Sequence, residues 1–153
     1  MVINYKAPQK IKDKKSNTSI LVKDYMSKNV ITFFNYDSIY LVMNTLSSNK
    51  ISGAPVINKF GKIVGVISET DIMKHVLESR YFNMPTNKDS VSNFMTKTVD
   101  TITANKTIFD AASRFFESNR KRFPVMDGDK IIGIISRSDI ITAALKIKGQ
   151  SWR

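Results

Sequence analysis

The sequence reads GVISETD at residues 65–71 and GIISRSD at residues 133–139. In both stretches a run of apolar residues ends in a serine, and an aspartate follows three positions later. The apolar run is typical of a strand covered on both faces, and Ser-x-x-Asp is typical of the first turn of a helix. Each stretch therefore predicts a strand that leads directly into a helix.

The similarity extends well beyond these two stretches. VKDYMSKNVIT at residues 22–32 is matched by VSNFMTKTVDT at residues 91–101, and Pro55-Val56 returns as Pro124-Val125. The offset between the copies is 69 residues at first and 68 after a turn, where a one-residue difference in length is tolerated. An internal repeat of this kind indicates a duplicated supersecondary unit.

Both copies predict the same order of elements. Short strands at residues 30–32 and 99–102 come first, and Ser38 and Thr107 are predicted to cap the amphipathic helices that follow. Two β-rich runs across a turn come next, and closing helices are predicted near residues 70–79 and 138–147. The fold class is therefore α/β with two β-α-β-β-α units. We expect them to pack sheet against sheet, because one unit is too small to cover its own sheet.

The amino-acid composition excludes several kinds of binding site and gives the chain a strong positive charge. The 153 residues include 24 Lys and Arg against 13 Asp and Glu, for a net charge of +11. The absence of cysteine excludes disulfides and thiolate metal sites, and a single histidine excludes a histidine cluster. With no secretory leader and no apolar run of about 18 residues, we expect a cytoplasmic protein without a membrane span. Residues 1–18 hold five lysines and predict a solvated arm, or a weak electrostatic contact with nucleic acid or anionic lipid.

The repeat, the Met-(Ser/Thr) near the start of each copy and the Gly-h-h-Ser-x-x-Asp near its end resemble the CBS domain, named for cystathionine β-synthase. Two such domains form a CBS pair, or Bateman module. The resemblance divides the chain into a basic arm (1–18), a first CBS repeat (19–80), a linker (81–90), a second repeat (91–148) and a C-terminal tail (149–153). Because no catalytic domain accompanies the pair, we expect a protein that is not an enzyme and has no catalytic cofactor.

The Ser-x-x-Asp turns offer chemistry that suits a nucleotide. Unpaired N–H groups at a helix N-terminus favour phosphate, and Asp71 or Asp139 can accept hydrogen bonds from both hydroxyls of a ribose. The alternative is that the serine and the aspartate only cap the helix. A cap and a ligand contact are compatible with one another.

The resemblance implies that adenosine nucleotides bind in two clefts between the copies. The first, the Asp139 cleft, would combine Ser136, Ser138 and Asp139 with Ile31, Ile51 and Ser52. The second, the Asp71 cleft, would combine Ser68, Thr70 and Asp71 with Asp100, Arg120 and Lys121. In the Asp139 cleft the two isoleucines are expected to sandwich the adenine.

The two clefts differ in predicted charge. Residues 120–122 are Arg-Lys-Arg and are expected to contact phosphates, a solvated loop being the alternative, whereas residues 51–53 carry no charge. The Asp71 cleft is therefore expected to prefer ADP or ATP, with magnesium entering, if at all, alongside ATP. The Asp139 cleft is expected to bind more weakly, or to accept S-adenosylmethionine. Asp100 is expected either to accept from the adenine amino group or to disfavour nearby anions.

The predicted function is a regulatory module that senses AMP, ADP, ATP or S-adenosylmethionine and alters a protein partner or its own assembly. The resemblance also implies a homodimer formed through the helices. Two alternatives stay open: a structural or dimerisation module without ligand, and a nucleic-acid-associated protein that uses its basic arm. Outside the clefts, His75 is expected to form an exposed i,i+4 pair with Asp71, and Tyr25 and Phe94 are expected to pack in the core or between the copies.

Overall fold

The computed structural model describes residues 19–82 and 89–151. The first copy comprises β1 (Phe33–Phe34), α1 (Ile39–Asn49), β2 (Gly53–Ile57), β3 (Ile63–Ser68) and α2 (Glu69–Phe82). The second comprises β4 (Ile102–Thr103), α3 (Ile108–Glu117), β5 (Arg122–Asp127), β6 (Lys130–Ser136) and α4 (Arg137–Ser151). The predicted β-α-β-β-α order is confirmed in both copies, and the closing helices are longer than predicted.

Each copy forms a three-stranded sheet, with strand orders β1-β2-β3 and β4-β5-β6. The first two strands of each sheet are parallel, because α1 or α3 crosses over between them, and the last two form an antiparallel hairpin. Gly61 and Gly128 lie in the hairpin turns with φ of +80° and +58°, a region that favours glycine. The hairpins predicted from the β-rich runs are confirmed.

The first strand of each copy begins later than predicted. The prediction of strands at residues 30–32 and 99–102 was wrong in position, because β1 is Phe33–Phe34 and β4 is Ile102–Thr103. Phe33 pairs with Val56 and Ile102 pairs with Val125. The strand therefore lies where it meets a partner, and not at the most β-branched part of the sequence.

The predicted caps of the first helices are confirmed. Ser38 Oγ accepts from the N–H of Leu41 at 3.2 Å, and Thr107 Oγ1 accepts from the N–H of Asp110 at 3.1 Å. The Asp110 carboxylate accepts in turn from the N–H of Thr107, which completes a capping box. The apolar face of each helix is buried as its spacing predicted, with Val42 and Ala111 fully buried.

The segments that open the two copies are exchanged. We call residues 20–27 and 89–96 the opening segments. The N–H of Val22 donates to the Lys106 carbonyl at 2.8 Å, and Ser27 exchanges two backbone hydrogen bonds of 2.9 Å with Ile134 of β6. The other segment makes the equivalent bonds to the first copy, including an exchanged pair between Thr96 and Val66 of β3. The opening segment of each copy therefore packs against the other copy and not against its own.

The hydrophobic cores follow this exchange. Val91, from the opening segment of the second copy, belongs to the core of the first together with Phe33 and Ile67. Val22 belongs to the core of the second copy with Phe123 and Ile135. Since both valines are fully buried, neither core is complete without a residue from the other copy.

Aromatic side chains reinforce the exchange. Phe94 meets the His75 ring of α2 edge-on at 4.5 Å between centroids, and Lys146 of α4 lies 5.8 Å above the Tyr25 ring. The prediction that Tyr25 and Phe94 pack in the core or between the copies is therefore confirmed: both make contacts between the copies, and Phe94 also packs against the first core.

His75 does not form the exposed pair with Asp71 that its spacing suggested. Its side chain is buried, with 5% of the residue exposed, and its Nε2 lies 4.0 Å from Asp89 Oδ2. The prediction was wrong because α2 packs its His75 face against the opening segment of the second copy, which supplies both Asp89 and Phe94.

Parts of the predicted domain division lie outside the described residues: the basic arm at 1–18, the middle of the linker at 83–88 and the last two residues, 152–153. Within the described ranges, no helix has the length and apolar character that crossing a membrane requires.

Candidate functional site

The two sheets face one another across the module. Register partners Pro55 and Val66 from the first sheet, and Pro124 and Ile134 from the second, line one cavity of 320 Å³. A second cavity, also of 320 Å³, lies between the start of the first copy and the start of α4. Both volumes fall near the lower end of the range for small-molecule sites. The sheet-against-sheet packing expected from the sequence is confirmed.

The first cavity is the Asp71 cleft. Its lining includes five residues in which both copies take part: Ser68, Thr70, Asp100, Arg120 and Lys121. Asp71 is absent from the lining and lies just behind it, bonded to Ser68. The structure therefore brings the hydroxyls that begin α2 together with basic residues of the second copy, as the sequence predicted.

The serine and aspartate at each α-helix start form the predicted cap. Asp71 Oδ2 accepts from both the N–H and the Oγ of Ser68 at 2.9 Å. Asp139 Oδ2 accepts from the N–H of Ser136 at 2.8 Å and from its Oγ at 2.9 Å. The second carboxylate oxygen of Asp71 lies 3.5 Å from Thr96 Oγ1. Both aspartates thus hold the first helical turn in place through one oxygen. The second oxygen of Asp71 accepts from Thr96 of the other copy, and each carboxylate oxygen has a further lone pair for a ligand.

Asp100 occupies the Asp71 cleft as the partner of a cation. Its Oδ2 lies 2.9 Å from Arg120 Nε, and both side chains are half-exposed. This ion pair offsets the charge that Arg120 was expected to offer to phosphate. Lys121 is exposed in the same cleft and lies outside the ion pair.

The second cavity is the Asp139 cleft. It is lined by Ile31 and Ile51 from the first copy and by Ser136, Ser138 and Asp139 from the second, all five as predicted. Ser52 was also assigned to this cleft, but the structure places it in the lining of the Asp71 cleft. This placement differs from the prediction because the chain bends at Ser52 between α1 and β2, so that Ile51 lines one cleft and Ser52 lines the other.

The sequence assigned the basic run 120–122 to the Asp71 cleft alone, but Arg122 belongs to both clefts. It lines both cavities, and its Nη2 donates to Ser52 Oγ at 2.7 Å. The Asp139 cleft therefore contains a cation, although residues 51–53 of the first copy carry none. The sequence did show the basic run 120–122, but matching equivalent positions of the two copies placed that run in one cleft only.

A metal centre finds no support in the described part of the chain, where no three His, Asp or Glu side chains are grouped to hold an ion. The chemistry that the clefts do offer is recognition: helix N-termini, hydroxyls, the carboxylates of Asp100 and Asp139, and arginine donors. Such groups suit a ligand that combines an apolar ring, a diol and an anion.

Comparison with known proteins agrees with this geometry. The model of the CBS domain matches the chain twice, at residues 22–78 and 91–146. An uncharacterized protein of Methanocaldococcus jannaschii is 34% identical over 82% of this chain and 92% of its own length. The chain spans only 22% of a longer relative from the same organism, L-aspartate semialdehyde sulfurtransferase.

Two solved structures share the fold and contain adenosine ligands. CBSX2 of Arabidopsis thaliana in complex with AMP has a TM-score of 0.74 and 28% identity, covering 85% of this chain and 99% of that one. The CBS domain pair of protein MJ0100, in complex with 5′-methylthioadenosine and S-adenosyl-L-methionine, has a TM-score of 0.67 and 29% identity, covering 80% and 97%. The two matched repeats, their exchanged opening segments and their paired clefts make this chain a member of the CBS domain family, a CBS pair.

Proposed function

We propose that this CBS pair is a regulatory module that binds adenosine nucleotides in the clefts between its two copies. The observation that carries the proposal is the Asp71 cleft, where the first turn of α2 faces Arg120 and Lys121 across a 320 Å³ cavity. A helix N-terminus and cations from opposite walls favour a phosphate between them. The AMP bound by CBSX2, and the adenosine ligands bound by MJ0100, support the same class of ligand here.

The proposed roles follow the position of each group. The Thr70 hydroxyl donates to phosphate and Lys121 supplies charge, while Ser68, whose hydroxyl donates to Asp71, holds the first turn of α2 against the cleft. In the Asp139 cleft, Ile31 and Ile51 hold the adenine, while Ser136, Ser138 and Asp139 bind the ribose and the group attached to it. The Asp71 cleft prefers ADP or ATP, and the Asp139 cleft binds the same nucleotides more weakly and also accepts S-adenosylmethionine.

Ligand binding would act by population shift. Each cleft is built from both copies, so a bound nucleotide stabilises the arrangement of the copies that completes its cleft. A protein partner, or a second copy of the chain, would then respond to that arrangement. No covalent step is needed for such a signal.

The proposal also includes a homodimer formed through the closing helices. Leu77 of α2 and Leu145 of α4 occupy equivalent positions in the two copies and are 59% and 68% exposed. Met73 and Ile141, one turn earlier on the same helices, are exposed as well. Apolar side chains repeated on two helix faces are suited to burial against the same faces of a second copy.

Thermal unfolding followed by calorimetry tests the nucleotide proposal. AMP, ADP, ATP and S-adenosylmethionine are each added with and without magnesium. A ligand at 100 times its dissociation constant stabilises a protein by about 2.7 kcal/mol, which corresponds to a shift of several degrees. Asp71→Ala should abolish the ADP shift at the Asp71 cleft, and Asp139→Ala should abolish binding at the other.

Because both aspartates also cap helices, a matched control is needed. Asp110→Ala removes the capping carboxylate of α3, which lines neither cleft, and should lower the midpoint while leaving the ligand-induced shift intact. If none of the four ligands shifts the midpoint of the native chain, the nucleotide proposal is overturned in favour of a structural module.

A further inference from the structure

Arg122 belongs to both clefts at once. It is the first residue of β5, and together with Gly53 and Ile134 it forms a wall that the Asp71 and Asp139 clefts share. Gly53 is the equivalent residue of the first copy and has no side chain. The shared wall therefore contains one guanidinium, contributed by the second copy alone.

The guanidinium is held by a neutral partner. Its Nη2 donates to Ser52 Oγ at 2.7 Å, across the boundary between the copies. Arg120, the neighbouring arginine, is paired with Asp100, and Lys121 lines the Asp71 cleft but not the Asp139 cleft. Within residues 19–82 and 89–151, no carboxylate lies within ion-pair distance of Arg122. Its charge is thus available to an anion from either side.

We propose that Arg122 couples the two clefts negatively, so that an anionic nucleotide in one cleft weakens the binding of a second in the other. This inference rests on the proposed nucleotide binding and adds its regulation. A phosphate in one cleft forms charge-assisted hydrogen bonds with the guanidinium, whose planar fork can face one anion fully at a time. The second nucleotide then enters a cleft that has lost its shared cation.

Coupling of this kind is reciprocal. Each nucleotide lowers the affinity for the other by the same factor, whichever binds first. The module would therefore pass from empty to singly occupied at low nucleotide concentration and would resist the second occupancy. Ligands without an anionic group near Arg122 would bind in the two clefts independently of one another.

The experiment measures the coupling factor directly. Asn119 lines the Asp71 cleft and Asn29 the Asp139 cleft; both are exposed and neither lines the other cleft. Asn119→Trp and Asn29→Trp each block one cleft and leave one ADP site, whose affinity is read by calorimetry. The product of the two stepwise association constants of the native chain, divided by the product of the two single-site constants, is the coupling factor.

We expect a coupling factor of about one tenth for ADP on the native chain and about one in the Arg122→Gln background. Adenosine, which has no phosphate, should give a factor of about one with Arg122 in place, and this comparison stands even if Arg122→Gln fails to fold. A factor of one for ADP on the native chain overturns the coupling while leaving nucleotide binding intact. Absence of ADP binding on the native chain overturns the coupling, and absence of binding by AMP, ADP, ATP and S-adenosylmethionine alike overturns the proposed function as well.

Discussion

Gly65 of β3 lies directly against Met95, the methionine of the opposite copy's opening segment. A methyl group on the Cα of Gly65 would come within 2.7 Å of Met95 Sδ and 2.9 Å of the Thr96 carbonyl oxygen. Gly133 stands in the same relation to Met26 and Ser27. The glycine that begins each Gly-h-h-Ser-x-x-Asp motif therefore serves the exchange of segments, and the Met-(Ser/Thr) pair of the other copy is its complement.

Gly65→Ala should destabilise the module by about 1–3 kcal/mol, because the new methyl group overpacks the contact with Met95 and the backbone of Thr96. The loss appears as a lower midpoint in urea unfolding at an unchanged slope. Gly149→Ala is the matched control: nothing lies within 4 Å of the added methyl group, and alanine in helix α4 should stabilise by about 0.5 kcal/mol. Equal effects at positions 65 and 149 would contradict the packing argument.

The capping box of α3 predicts a pH dependence. Hydrogen bonds from the Thr107 backbone, and then from its hydroxyl, hold the pKa of Asp110 below its ordinary value of 3.8. A carboxyl with a lowered pKa in the folded state adds stability that is present above pH 3.8 and is lost as the pH falls through the folded value. Thr107→Ala should raise the pKa of Asp110 towards 3.8, as measured by NMR titration of the carboxyl carbon.

The control for this titration is Ser38→Ala, which removes the equivalent cap from α1, where Leu41 stands in place of the acidic residue. That variant should lower the unfolding midpoint and leave the pKa of Asp110 unchanged. A pKa of Asp110 that does not move in Thr107→Ala would show that the hydroxyl contributes nothing to it.

Asp100→Asn should strengthen ADP binding in the Asp71 cleft by about threefold to tenfold. The change removes a negative charge from the cleft and releases Arg120 from its 2.9 Å ion pair, so that its guanidinium can face phosphate. Adenosine binding should change little, because adenosine has no phosphate for the released Arg120 to contact. Asp129→Asn, the same charge change in the β5–β6 turn, is the control. Weaker ADP binding in Asp100→Asn would mean instead that the carboxylate positions Arg120 for the ligand.

Leu77→Lys and Leu145→Lys should convert a dimer into a monomer, since each places a charge in an apolar helix face that a second copy would cover. Sedimentation velocity distinguishes the two masses. Phe60→Lys adds the same charge at an exposed aromatic residue in the β2–β3 turn and should leave the dimer intact. A native chain that sediments as a monomer at high concentration would contradict the proposed interface.

Features governed by neighbouring residues were predictable from the sequence. The caps at Ser38 and Thr107, the hairpin turns at Gly61 and Gly128 and the buried faces of α1 and α3 all depend on contacts within a few positions. The repeat made each of these predictions more secure, because the same pattern occurs at equivalent positions in both copies. This is why the fold class and most of the cleft lining followed from the residues and the resemblance.

Features that depend on contacts between residues far apart in the sequence could not be predicted from it. His75 lies four residues from Asp71, and its burial depends on Asp89 and Phe94, which belong to the opening segment of the other copy. Arg122 and Ser52 meet across 70 residues, and no local pattern marks either as the other's partner. The repeat itself misled here, since copy-to-copy correspondence treats the two clefts as separate and hides a residue that both contain.

The exchange of opening segments has a consequence for synthesis on the ribosome. The core of the first copy needs Val91, so that copy cannot finish folding while only its own residues have left the exit tunnel. Until then Phe33 and Ile67 lack part of their cover, and the nascent chain exposes an incomplete apolar surface. The two copies are therefore expected to fold as one cooperative unit once both have left the exit tunnel. Truncation between them should yield fragments that aggregate or are degraded, with neither half stable alone.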